Sequence, residues 1–367
     1  SIKKAPCIFS SLMKTLHAMD YRKSQLHTAC LQGDEHYVKQ LLYEGAQIEA
    51  KIQFQGQCMT ALHIAASRGH WAVVQALLDA GANKDARSDP EQFMPLHFAA
   101  SEGHEAVVQV LLAAGADKEA KVGPQQCRAL HYAANEGRET VVQALLAAGA
   151  DKEARSVGRT PLIIAAQGGH SAVVQLLLAA GVDKMARNDL GATALHEAAA
   201  LGRTSVVHML LAAGVDTEAR NNTEATALHD AAFTGHTSVV QMLLAAGADK
   251  EANGKNQGTP LHLAVMNGEQ AVVKILLAAG AAAKAHPGSG IDAVALAEAS
   301  GHHDIAAILR KAINQQAALN ECLVCQIHTT LRCQRCKKAA FCSRVCMKAG
   351  WKTHKKVCCD MQKKKKK

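Results

Sequence analysis

Aromatic side chains are scarce in this 367-residue chain, where Phe, Trp and Tyr together make up 3% of the residues. A single globular core of this size normally uses more aromatic volume, whereas small residues suit helices that pack in a regular stack. No apolar run approaches the roughly 20 residues needed to cross a bilayer, and no secretory signal is apparent. The composition therefore favours an elongated array over one large core or a membrane protein.

Acidic residues are nearly absent from the C-terminal end. Residues 322–367 hold 14 of the 41 Lys and Arg and one acid, Asp360, for a net charge of +13. The rest of the chain keeps 27 basic and 31 acidic side chains, for a net charge of −4. A basic end is typical of a solvated tail, a nuclear-localisation signal or a nucleic-acid contact. The first residue, Ser1, and the terminal run Lys363 to Lys367 are also typical of a translated transcript, with Met13 as the start.

Cysteines are concentrated at the same end, with the spacing C-x2-C-x7-C-x2-C-x5-C-x3-C-x7-H-x3-C over residues 322–358. Eight such ligands fill two tetrahedral Zn²⁺ sites with none left over. Spacing alone permits either interleaved or sequential pairing of the ligands. The segment is too short to bury a sufficient core, so metal binding would supply much of its folding free energy. The eight ligands are Cys322, Cys325, Cys333, Cys336, Cys342, Cys346, His354 and Cys358.

The other cysteines show no pairing pattern. Reduced thiols in the cytoplasm or the nucleus fit this usage best. We therefore expect the protein to be cytoplasmic, nuclear or both.

The body of the chain repeats with a period near 33 residues. A glycine follows seven residues after each marker residue, from Gly33 after Leu26 to Gly301 after Val294. A fixed period of this length indicates a solenoid of stacked units. The nine markers are Leu26, Leu62, Leu96, Leu130, Leu162, Leu195, Leu228, Leu261 and Val294.

One unit explains why the chain repeats. Thr193 is positioned to cap a short helix, whose apolar residues Leu195, Ala198 and Ala199 share one face. Gly202 ends that helix, and a second helix with an apolar stripe that begins at Val206 follows. Neither helix can bury its stripe alone, so stacking supplies the core.

The repeat resembles the ankyrin repeat. Its consensus words are present in Thr160-Pro161-Leu162 and Thr259-Pro260-Leu261, in a recurring Leu-His pair and in Leu-Leu-Ala-Ala-Gly-Ala. The resemblance implies an all-α solenoid of about nine helix–turn–helix units. It also implies that the recurring His makes structural hydrogen bonds near a helix cap. No nucleophile or carboxylate column accompanies the His, so catalysis is not expected.

The cysteine-rich end resembles the MYND-type zinc finger, on its eight ligands and the words Phe341-Cys342-Ser343 and His354-Lys355. The resemblance implies two structural Zn²⁺ ions in a cross-brace, and binding of short proline-containing peptides. Trp351 matches a position that contacts peptide in that family, and Met347 stands where the family often has Gln, which leaves the peptide preference open. The implied ligand sets are Cys322, Cys325, Cys342 and Cys346 for one ion, and Cys333, Cys336, His354 and Cys358 for the other.

These patterns divide the chain into five segments. We expect an N-terminal extension over residues 1–23, the repeat array over 24–313 and a helical linker over 314–321. The zinc finger follows over 322–358, and a basic tail over 359–367 ends the chain.

Variation within the repeat marks candidate contacts, because stacking fixes the other positions. The residue after the recurring His is Phe98, Tyr132, Glu197 or Asp230 in different units, and Phe233 precedes a helix-ending glycine. Such a surface suits an extended protein partner anchored around the aromatic residues, although drift on a solvated face would give the same pattern.

The sequence thus predicts a non-enzymatic adaptor, whose array binds one protein and whose zinc finger binds a peptide. The alternative is a nucleic-acid-associated regulatory protein that uses the basic end. A DNA-binding ridge on the array itself is disfavoured, because its finger loops alternate Lys with acids.

Overall fold

Helices in repeating pairs make up nearly all of the secondary structure. The computed structural model describes residues 25–255, 258–283 and 292–320. These ranges contain eighteen α-helices and one two-stranded hairpin, which confirms the predicted all-α repeat architecture. The chain divides into two compact units between Ala227 and Leu228. No helix in the described ranges is both long and apolar enough to cross a bilayer.

From residue 25 onward, the first unit contains six helix pairs. In each pair a short helix, here called the inner helix, precedes a second, outer helix. The pairs are α1 (residues 25–32) and α2 (Glu35–Tyr43), α3 (Ala61–Arg68) and α4 (Trp71–Asp79), α5 (Pro95–Glu102) and α6 (Glu105–Ala113), α7 (Ala129–Asn135) and α8 (Glu139–Ala147), α9 (Pro161–Gly168) and α10 (Ser171–Ala179), and α11 (Ala194–Ala200) and α12 (Thr204–Ala212).

The described residues of the second unit contain three further pairs, and the first of these helices begins at the division. The pairs are α13 (Ala227–Phe233) and α14 (Thr237–Ala245), α15 (Pro260–Met266) and α16 (Gln270–Ala278), and α17 (Ala293–Ala299) and α18 (His303–Asn320). Helix α18 is 18 residues long and runs through residues 314–320 of the segment expected to be a helical linker.

The one hairpin lies in the first finger. Strand β1 (Lys51–Phe54) pairs antiparallel with β2 (Gln57–Thr60), which then leads directly into α3. The sequence shows an insertion at this finger, since the first two marker leucines are 36 residues apart. The extra residues lengthen an ordinary finger loop into a short ribbon.

Helix α11 shows how the sequence sets each pair. Thr193 is its N-cap, and Leu195, Ala198 and Ala199 are buried. Gly202 follows the helix with φ of +65°, a left-handed conformation that glycine adopts without the steric penalty of a side chain. The predicted cap, apolar face and terminator are therefore confirmed in this unit.

A ladder of hydrogen bonds joins neighbouring repeats in the first unit, in addition to the apolar core. The residue after the glycine that ends each inner helix from α3 to α11 donates to a backbone carbonyl near the end of the preceding inner helix. These bonds run from His70 Nε2 to Leu31 O (3.2 Å), His104 Nε2 to Ser67 O (3.0 Å), Arg138 Nε to Ser101 O (2.8 Å), His170 Nε2 to Asn135 O (2.7 Å) and Arg203 Nε to Gln167 O (2.9 Å). The carbonyls at a helix end lack partners within their own helix, so the ladder satisfies them from the next repeat.

Candidate functional site

The recurring histidine is a buried structural connector. His63 Nδ1 accepts the Thr60 amide N–H at 3.2 Å, while Thr60 Oγ1 lies 2.8 Å from the same nitrogen. Because Nδ1 accepts, the ring proton lies on Nε2, which donates to the Phe93 carbonyl 3.0 Å away in the next finger. The same arrangement recurs at Thr193 and His196. One neutral imidazole thus caps a helix and joins two repeats.

Burial keeps these histidines neutral. It lowers the pKa of His63, His97 and His131 to about 4, since the charged ring would lose its hydration. In the described ranges no three or more His, Cys, Asp or Glu side chains are grouped so as to hold a metal ion. The histidine column is therefore structural, as the repeat pattern predicts.

The predicted anchors Phe98 and Tyr132 lie on neighbouring inner helices and belong to one row of rings. Phe93, from the finger that leads into α5, stands between them, with its ring centroid 5.5 Å from Phe98 and 5.4 Å from Tyr132. All three side chains are half-buried. We call Phe93, Phe98 and Tyr132 the aromatic face.

The aromatic face rests on the structural histidines. The Phe98 ring meets His63 edge-on at 5.8 Å, and the Tyr132 ring meets His97 edge-on at 5.9 Å. Edge-to-face contacts of this length are favourable for aromatic pairs. The rings therefore rest on buried side chains of the repeat.

A small apolar cluster supports the far end of the face. Met94, Ala120 and Val122 are buried, and Phe93 and Tyr132 pack against them. A Cβ placed on Gly123 would lie 3.4 Å from Tyr132 Oη, so the phenol stands directly over this glycine. Burial raises the pKa of the Tyr132 hydroxyl, which stays protonated.

Phe93 is not among the contacts that the sequence predicts, because it lies outside the inner helices. It comes just before the helix cap, where the equivalent residues are Met59, Cys127 and Arg159. This variation is a signal in the sequence, but only the fold shows that Phe93 packs between Phe98 and Tyr132.

A basic group lies at the next repeat toward the N-terminus. The Arg68 guanidinium lies 5.9 Å from the ring centroid of Phe54, at the end of strand β1. Arg68 is exposed at the end of α3. A cation over a ring at this distance is weakly attracted to it. The hairpin thus contacts one positive charge, one repeat before the aromatic face.

Glu197 lies on α11, as predicted, and its carboxylate accepts hydrogen bonds from two neutral amides. Asn188 Nδ2 donates to Glu197 Oε1 at 2.8 Å, and Gln167 Nε2 donates to Glu197 Oε2 at 2.9 Å. Gln167 Oε1 in turn accepts from Arg159 at 3.1 Å. Two neutral donors therefore orient the carboxylate.

The predicted contacts of the second unit lie together on α13. Asp230 is half-buried, and Phe233, one turn further, is 42% exposed. Met266 occupies the position of Phe233 in the next repeat and is 44% exposed. Asn267 Nδ2 donates to the Phe233 carbonyl at 2.6 Å. The second unit thus presents its own small apolar surface.

The zinc-ligand candidates Cys322, Cys325, Cys333, Cys336, Cys342, Cys346, His354 and Cys358 lie outside the described residues, as do Met347 and Trp351. Their chemistry fits zinc, since thiolate and imidazole are the ligands of structural tetrahedral sites. Their pairing stays a prediction.

Comparison with known proteins agrees with this division. The family described as "Ankyrin repeats (3 copies)" matches residues 26–122, 130–221, 186–254, 210–286 and 228–321, and the family described as "MYND finger" matches residues 322–358. Ankyrin repeat domain-containing protein 39 from Homo sapiens is 36% identical over 83 residues, which is 23% of this chain and 43% of that protein. The chain therefore spans less than half the length of this relative. From its repeats and the matches along them, the chain belongs to the ankyrin-repeat family and carries a C-terminal MYND finger.

Proposed function

We propose that this protein is a non-enzymatic adaptor with two separate binding sites. Ankyrin repeats and MYND fingers are protein-interaction modules, and the aromatic face is the observation that supports this proposal most strongly. Three half-buried rings in fixed positions offer a large apolar contact that loses little side-chain entropy on binding. The face binds one protein partner, and the finger binds another.

The finger holds two structural Zn²⁺ ions in this proposal, paired in the cross-brace that the resemblance implies. Closed zinc sites leave no position for water or substrate, so they build a fold and not a catalytic centre. Trp351 and Met347 contact a short peptide, and proline-containing peptides are the first to test. Met347 gives this contact an adaptable side chain in place of a polar amide.

We also place the adaptor in the cytoplasm or the nucleus. Cys30, Cys58 and Cys127 are free thiols in the described part of the chain. Burial raises the pKa of Cys30 to about 12, which keeps it protonated and unreactive. Unpaired thiols fit a reducing compartment.

A peptide-array screen tests the aromatic face. Full-length zinc-loaded protein is compared with its Phe98→Ala/Tyr132→Ala variant and with Trp71→Ala, a control on α4 whose side chain is 56% exposed. Truncation of hot-spot aromatics typically costs more than ~2 kcal/mol, so we expect one set of peptides to disappear only with the double variant.

The circular dichroism melting curve of each variant shows whether it stays folded. Retention of every peptide by a folded double variant would overturn the proposed role of the face.

A further inference from the structure

Two neighbouring inner helices each carry an aromatic residue that is followed four residues later by a glutamate. Phe98 and Glu102 both lie in α5, whereas Tyr132 lies in α7 and Glu136 is the residue that caps the C-terminus of α7. Residues four apart lie on one face of a helix, about 6 Å from each other. Helices α5 and α7 pack against each other within the first unit. The aromatic face is therefore bordered on one side by two carboxylates.

These two carboxylates are exposed. Within the described ranges neither Glu102 nor Glu136 forms an ion pair, and Glu136 Oε1 accepts only from the neutral Asn135 amide, at 2.7 Å. The acids on the fingers of the same repeats differ, because Glu119 and Asp151 share Arg128 at 2.9 and 2.8 Å. The acids beside the rings are therefore accessible to the cations of a partner.

The nearby cations form no ion pair with these carboxylates in the part of the chain that the structure describes. Arg138 lies next to the end of α5, and its Nε donates to the Ser101 carbonyl at 2.8 Å. Arg68 occupies the position of Glu102 one repeat earlier. Equivalent positions in three successive repeats therefore carry a basic residue, Arg68, and then two acidic ones, Glu102 and Glu136. The surface is thus asymmetric along the array.

We propose that the aromatic face binds a basic and apolar linear segment of a partner protein. Apolar side chains of the segment cover the three rings, while Lys or Arg side chains about one helical turn away approach Glu102 and Glu136. This assignment rests on the proposed function, since it names the chemistry of the partner for the same face. Rim charges of this kind contribute specificity and association rate more than affinity.

The test uses two pools of 12-residue peptides with the same three apolar positions. One pool fills the other positions with Lys, Arg, Ser and Gly, and the second pool replaces Lys and Arg with Asp and Glu. Binding to full-length zinc-loaded protein is measured by fluorescence anisotropy at two salt concentrations. We expect the basic pool to bind roughly tenfold tighter than the acidic pool, with less difference at high salt.

Charge-reversed variants locate the effect. Glu102→Lys/Glu136→Lys is compared with Glu105→Lys/Glu139→Lys, which makes the same change of net charge on the outer helices α6 and α8 of the same repeats. We expect the inner pair to remove the preference for the basic pool and the outer pair to change it by less than about threefold. Equal effects of the two pairs, or no binding of the basic pool, would overturn the inference.

The Phe98→Ala/Tyr132→Ala variant separates this inference from the proposed function. If it loses peptides that the inner charge reversal still binds, the face is a binding site but its basic specificity is wrong. If it binds the basic pool as well as the unmodified protein does, both proposals fail. Loss of the basic pool in both variants, with the outer pair unaffected, supports both.

Discussion

A single imidazole makes three structural contacts at His63. In His63 one ring nitrogen caps the helix, the other joins the next finger, and the ring edge supports Phe98. A proton added at Nδ1 would face a backbone N–H and would lose the hydrogen bond from it. The fold therefore requires the neutral ring, and the aromatic face depends on the same requirement.

This requirement predicts that the array loses stability in mild acid. His63, His97 and His131 have folded-state pKa values of about 4, against about 6.5 in the unfolded chain. The unfolded chain then binds more protons below pH 6.5. Stability is complete above that pH and falls as pH drops toward 4. At pH 5 each of these histidines lowers the free energy of unfolding by roughly 2 kcal/mol. Urea unfolding followed by circular dichroism at pH 8 and at pH 5 measures the sum of these losses.

A variant distinguishes this effect from the titration of other groups. His131→Ile copies the fifth repeat, which has Ile163 at this position, and removes one titrating ring. The slope of its unfolding free energy against pH should fall by an amount that corresponds to about one bound proton. An unchanged slope, or a stability that is constant from pH 8 to pH 5, would show that the histidines do not control acid unfolding.

At the scale of the helix, the glycines that end the inner helices differ in their surroundings from those that end the outer helices. Gly137 follows α7 with φ of +67°, and a Cβ there would lie 2.4 Å from His170 Nδ1. That histidine belongs to the hydrogen-bond ladder between repeats. Gly149 follows α8 with φ of +75°, and nothing lies within 4 Å of a Cβ built there.

These two glycines form a matched pair for mutation. Gly149→Ala should cost only the strain of a left-handed alanine, about 1 kcal/mol. Gly137→Ala carries the same strain and also displaces His170 from Asn135 O, which should raise the cost to roughly 2–3 kcal/mol. Urea unfolding of both variants at pH 8 gives the comparison. Equal costs would show that the ladder contributes nothing to stability.

The elements also show where sequence reasoning stops. The helices, the Thr193 cap and the terminal glycines follow from spacings of a few residues, so they were predictable. Phe93, its contact with Tyr132 and the bond from His170 to Asn135 depend on which surfaces of neighbouring repeats meet. The two partners are 35 residues apart in that hydrogen bond, and no local pattern encodes the contact.

At the scale of the whole molecule, a mildly acidic array is joined to a strongly basic end. Residues 322–367 carry a net charge of +13, and the rest of the chain carries −4. The nucleic-acid alternative predicts that this end binds DNA or RNA with an affinity that falls steeply with salt. An adaptor predicts peptide complexes that depend on zinc and on the aromatic face.

Native mass spectrometry of the full-length protein tests two-site binding most directly, with one peptide selected for the face and one for the finger. We predict a species that holds two Zn²⁺ ions and both peptides at once. Chelation should release the metal and the finger peptide while the face peptide stays bound, because the repeats have an apolar core of their own. A chain that accepts only one peptide at a time, or that loses both on chelation, would contradict the adaptor.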